Sequence, residues 1–88
     1  MARVMVKLKV MPEDVNVNLE EVIERIKDIQ IEGVEVRDWK IQPVAFGLKA
    51  LLVLAVMPDE ANVSDVFVDE IKKIEGVGSV EIEDMELV

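Results

Sequence analysis

The chain repeats itself. Val10-Met11-Pro12-Glu13-Asp14 returns as Val56-Met57-Pro58-Asp59-Glu60, and Ile31-Glu32-Gly33-Val34 returns as Ile74-Glu75-Gly76-Val77. In the first half, Val4, Val6, Leu8 and Val10 alternate with Met5, Lys7 and Lys9, the period of a half-buried strand. Proline cannot continue a central ladder, so the strand ends at Met11-Pro12. Asn18 with Glu21 three residues on forms a capping-box-like pattern. Leu19, Val22, Ile23 and Ile26, with Ile29 beyond them, follow at helical spacing, and Glu20, Glu24, Arg25 and Lys27 take the other face. After Gly33 the pattern returns to that of a strand.

The second half repeats this order. Leu48, Ala50, Leu52, Leu54 and Val56 make the most apolar strand, with Leu51 and Val53 apolar on its other face, which suits the middle of a sheet. Ser64 is the expected cap of the next helix, and Asp65 favours the positive end of its dipole. Phe67, Ile71 and Ile74 give its stripe, Gly76 and Gly78 close it, and Val80 and Ile82 open a last strand. Two strands break phase, near Arg37-Asp38 and near Glu83-Asp84; the first break predicts a bulge.

Strand–helix–strand, twice, is the duplicated split βαβ arrangement, βαββαβ: an α+β, ferredoxin-like fold with a four-stranded antiparallel sheet. Right-handed crossovers put both helices on one face. The other face is expected to carry Met5, Lys7, Lys9, Lys49, Leu51 and Val53. Eighty-eight residues, half of them apolar, suffice for one domain over residues 1–88.

Between the second and third strands lies Gln42-Pro43-Val44-Ala45-Phe46-Gly47-Leu48-Lys49. Proline fixes its own φ and removes a donor, glycine admits a positive φ, and a large aromatic sits between them. The residues alone leave two roles open for Phe46: a plug folded back on one end of the sheet, or a contact for a partner. Trp39, in phase with Ile41, is expected on the core side.

Composition excludes much. Without cysteine there is no disulfide, thiolate metal site or cysteine nucleophile; without histidine, the usual neutral-pH base and commonest transition-metal ligand are missing. Carboxylates, lysines and two serines remain, in no catalytic pattern, so no enzyme is expected. The net charge is −9, with seven basic and nine acidic residues over 1–44 but three and ten over 45–88. Such a chain is repelled by phosphate backbones and anionic membranes, so neither nucleic acid nor membrane is an expected partner, and a basic protein surface is. No apolar run reaches the length of a membrane span and the N-terminus has no signal-peptide pattern, which predicts a soluble, cytoplasmic protein.

Known uses of the fold fit poorly. An RNA-recognition module needs aromatics on its first and third strands. A copper chaperone needs a cysteine pair where Pro12, Glu13 and Asp14 stand. An acidic loop there is a poor phosphate cradle, and the pairs Glu13-Asp14 and Asp59-Glu60 lack the spaced ligands of a calcium or magnesium site. No cofactor or metal is expected. By elimination the residues leave an acidic protein-binding domain, or a regulatory or assembly module that pairs strand edges or binds a ligand between subunits.

The run Gln42-Pro43-Val44-Ala45-Phe46-Gly47-Leu48-Lys49-Ala50-Leu51 resembles the hallmark segment of the exchange-factor domain of the elongation factor 1-beta family: proline, an apolar residue, a small residue, an aromatic, glycine, an aliphatic, then lysines. The first strand, the helix leading to Ile31-Glu32-Gly33, Trp39 and the acidic turn before the second helix also have counterparts there. A chain with this domain alone is similar to the archaeal form. The resemblance implies a guanine-nucleotide exchange factor without bond-making chemistry, monomeric when free, whose partner is the GTPase elongation factor 1-alpha. It implies a partner-binding loop of Pro43, Phe46, Gly47 and Lys49, with the aromatic wedging beside the partner's switch region. Two positions depart from the eukaryotic pattern. Ala50 stands where a second lysine is usual, and Leu87 where those members carry a C-terminal lysine implicated in displacing magnesium.

Overall fold

A computed structural model describes residues 2–60 and 62–88. Its elements follow in the order β1 (Arg3–Pro12), α1 (Leu19–Lys27), β2 (Glu35–Pro43), β3 (Lys49–Pro58), α2 (Val63–Lys72) and β4 (Val77–Leu87). They form one sheet in the order β2-β3-β1-β4, with every neighbouring pair antiparallel. This is the duplicated split βαβ fold.

The apolar alternation of β1 sets the core. Val6 and Leu8 are fully buried, and they lie opposite Ala55 and Val53 of β3. From the helices come Leu19, Val22, Ile23 and Ile26 of α1 and Phe67 and Ile71 of α2, packed into the same cluster. Both helices therefore cover one face. Ile29 and Ile74 lie past the ends of their helices but still pack, half-buried, against that cluster.

Pairing with β1 corrects the expected face of β3. Directly opposed residues share a face, so Leu51 and Val53, opposite Val10 and Leu8, point to the helices, and Lys49 follows their parity. The uncovered face instead receives Ala50, Leu52, Leu54 and Val56, beside Met5, Lys7 and Lys9. Both sets of β3 are apolar, so its own periodicity holds no information about which faces in. Ala50, Leu52 and Val56 are nevertheless buried. An interior strand is shielded by the long side chains of its neighbours, here Met5, Lys9 and Lys40 at the paired positions.

Both phase breaks are bulges. On β2 the register slips between Val36 and Asp38, and on β4 between the partners of Lys7 and Leu8, Asp84 and Ile82. The slip returns Trp39 and Ile41 to the side of Val53 and Leu51, and puts Met85 and Leu87 opposite Val6 and Val4.

The helix starts differ from each other. The Asn18 side chain accepts hydrogen bonds from the amides of Glu20 at 2.9 Å and Glu21 at 3.4 Å, as a cap should. Ser64, by contrast, lies inside α2. The helix begins one residue earlier, and Asn62 occupies the cap position without a side-chain cap bond. The repeated glycines lock the halves together. Gly33 and Gly76 both adopt positive φ, and a Cβ would stand 2.6 Å from the Pro58 ring at Gly33 and 2.9 Å from Val17 at Gly76.

Candidate functional site

The β2–β3 hairpin is built to hold an aromatic in water. Its ladder ends where Pro43 faces Lys49. Because β2 is an edge strand, the donor missing at Pro43 is tolerated there. The Val44 amide donates to the Leu48 carbonyl at 2.9 Å, and the Leu48 amide donates to the Ala45 carbonyl at 2.9 Å. The two residues inside that closed turn both have positive φ: Phe46 at 54° and Gly47 at 79°. That is the pattern of a type I′ turn, whose twist matches paired strands and whose usual central residues are Asn and Gly.

Gly47 suits its position and Phe46 does not. A bulky side chain in the left-handed region is strained by about 1–2 kcal/mol. Among the described non-glycine residues Phe46 alone has a positive φ. Burial offsets none of this, because the side chain is 98% exposed. The plugging role is thereby excluded. The fold keeps a strained backbone in order to hold an apolar ring out in solvent, a combination characteristic of contact sites.

Lys49 faces the helix side and lines a cleft of about 280 Å³ with Asp14, Asn18, Glu20 and Ile41. The ion pairs among the described residues are Glu24–Lys27, Glu35–Arg37 and Glu70–Lys73, so Lys49 has no partner of that kind. Val44, within the hairpin, is 48% exposed. Trp39 is the surprise. Its phase is as expected, but it is 37% exposed and borders an open groove with Glu20, Ile23 and Glu24 of α1 rather than standing in the core. As an edge strand, β2 has a neighbour on one side alone, and the helix layer does not close over it.

Pro43, Phe46, Gly47 and Lys49 are thus brought together, and Leu87 is kept apart from them. Leu87 pairs with Val4, whereas Leu51 at the hairpin end pairs with Val10. Six steps of about 3.3 Å separate those two positions of β1, roughly 20 Å before the hairpin's own length is added. The molecule measures 42 Å along its longest axis, and the two features occupy opposite ends of the sheet.

Fold and site together define a small ferredoxin-like domain that presents an aromatic-tipped hairpin. Residues 5–88 match the EF-1 guanine nucleotide exchange domain. An elongation factor 1-beta of Archaeoglobus fulgidus is 63% identical over 99% of both chains. Those of Staphylothermus marinus, at 44% identity over 94% of this chain and 93% of the relative, and of Natronomonas pharaonis, at 35% over 97% of each, are also similar. The chain belongs to the elongation factor 1-beta family. Among solved structures, the ACT domain from GTP pyrophosphokinase of Chlorobium tepidum superposes with a TM-score of 0.64 over 89% of this chain and 95% of that one. At 15% identity that likeness concerns the fold alone.

Proposed function

We propose that this protein is the guanine-nucleotide exchange factor of elongation factor 1-alpha, promoting GDP release and GTP reloading during peptide-chain elongation. It works in the cytoplasm through protein contact, as one exchange domain over residues 1–88, monomeric when free, without a bond-making step and without binding nucleic acid itself. The observation that carries this reading is Phe46: exposed, strained, and at the tip of a hairpin in a chain of the exchange-factor family.

An exchange factor binds the nucleotide-free GTPase better than the loaded one, and by reciprocity weakens the nucleotide by the same coupling energy. Full burial of a phenylalanine ring contributes about 2–3 kcal/mol. Realised in the nucleotide-free complex alone, that energy weakens GDP binding by roughly 30- to 150-fold. Gly47 lets the backbone approach the partner closely, and Lys49 offers an unpaired cation at the hairpin's base. The C-terminal end carries no positive side chain at Leu87 and lies across the sheet from the hairpin. Replacement of the partner's magnesium by a cation from the C-terminal end is therefore no part of this reading, and the hairpin would act through the partner's phosphate-binding loops.

The test is release of fluorescent GDP from elongation factor 1-alpha. Strong acceleration is expected from the intact chain, at least a tenfold smaller one from Phe46→Ala, and near-full acceleration from a chain lacking Leu87 and Val88. Loss in the shortened chain with retention in Phe46→Ala would move the site to the other end of the sheet. No acceleration by a folded protein with a competent GTPase would leave a regulatory or assembly module.

A further inference from the structure

The hairpin does not stand alone at its end of the molecule. The β1–α1 loop, Glu13–Asn18, rises beside it and is tied down along its length. The Glu13 amide donates to the Gly76 carbonyl at 2.8 Å, the Asn16 amide to the Asp14 carboxylate at 2.8 Å, and Asn18 caps α1. On this fixed loop Val15 points outward, 59% exposed, between acidic and amide side chains that are themselves in water. Its Cγ1 lies 3.9 Å from the place a Cβ on Gly47 would take, so the loop and the turn are neighbours. The same cleft joins Val15 to Gly47 and Lys49. Val15, Val44 and Phe46, three of the exposed large apolar side chains among the described residues, therefore converge on one end from two separate elements.

We propose that Val15 is a second apolar anchor for the GTPase, placing the hairpin on the partner while Phe46 supplies the coupling to nucleotide. This rests on the exchange reading above. A loop held by its own hydrogen bonds presents Val15 beside the turn before contact, which lowers the ordering cost of binding. A rigid apolar side chain next to an aromatic anchor is also the arrangement that excludes water from a contact centre. The loop precedes α1 and the hairpin follows it. The pairing thus exists in the tertiary structure and not in the local sequence.

Val15→Asp and Val15→Ile separate this role from a structural one. The protein concentration giving half-maximal GDP release should rise at least tenfold in Val15→Asp. The rate at saturation should stay within about twofold of the intact chain, and Val15→Ile should behave as the intact chain does. Direct binding to the GTPase, by calorimetry, should weaken by the same factor in Val15→Asp. Phe46→Ala should instead lower the saturating rate. A Val15→Asp curve that overlays the intact protein in both measurements overturns the inference and leaves the exchange reading standing. Binding weakened by Val15→Asp with no acceleration by the intact chain keeps the anchor and removes the exchange function. Absence of binding by the intact chain removes both.

Discussion

At the scale of single residues, Phe46 combines a strained backbone with an exposed ring. Its ring gains nothing from the folded state, being 98% exposed, while its backbone sits at a φ of 54°. Asparagine tolerates the left-handed region and is the preferred partner of glycine in a type I′ turn. Phe46→Asn should therefore stabilise the protein by about 1 kcal/mol, a rise in melting temperature of roughly 4–8 °C for a domain of this size, and at the same time lose exchange. Thermal unfolding measured alongside GDP release decides it. A variant less stable than the parent would mean that the turn is not strained as described. The tripeptide Ala45-Phe46-Gly47 shows its turn in the sequence, because glycine beside a proline-led segment is a turn in any reading. The direction of the ring was not legible there, since a plug and a contact need the same residue.

The two helices are matched in the repeat but not in how they begin. Asn18 binds two amides of α1, whereas Asn62 binds none at the start of α2. Asn18→Ala should therefore cost about 1 kcal/mol and Asn62→Ala only a few tenths, as read from urea midpoints at constant slope. A loss of only a few tenths in Asn18→Ala would show that the Asn18 bonds contribute nothing in solution, and a loss of about 1 kcal/mol in Asn62→Ala that α2 is capped as well. Sequence reasoning found the first cap because Asn18 and Glu21 straddle the first turn. It misplaced the second at Ser64, because Ser64 and Asn62 are both good capping residues and the apolar stripe of α2 tolerates either start. The strands divide in the same way. The phase breaks in β2 and β4 were legible because apolar residues changed parity along one strand. The facing of β3 was not, because apolar residues occupy both of its parities.

For the molecule as a whole, charge and shape act together. A net charge of −9 steers the chain toward a basic surface, and screening weakens that steering as ionic strength rises. The association rate with the GTPase should fall several-fold between about 0.05 and 0.5 M salt, as followed by stopped-flow, while the dissociation rate changes little. A rate independent of salt would remove the electrostatic contribution and leave the apolar anchors to carry the encounter. No helix among the described residues is long and apolar enough to cross a membrane. The hairpin with Val15 stands at one end of the sheet and Leu87 at the other.

The sequence by itself determined the order of elements, the duplication, the bulge in β2, the phase break in β4, the cap of α1 and the position of the turn between β2 and β3. Each of these depends on residues close together in the chain, where periodicity, proline and glycine act directly on the backbone. Only the tertiary structure decided which face of β3 meets the helices, that Phe46 stands in water, that Trp39 remains partly exposed at the sheet edge, and that Val15 shares a cleft with Gly47. These depend on register and on the meeting of loops from separate halves. A sheet sets that register through hydrogen bonds between strands, and no local pattern in a strand apolar on both faces can reveal it.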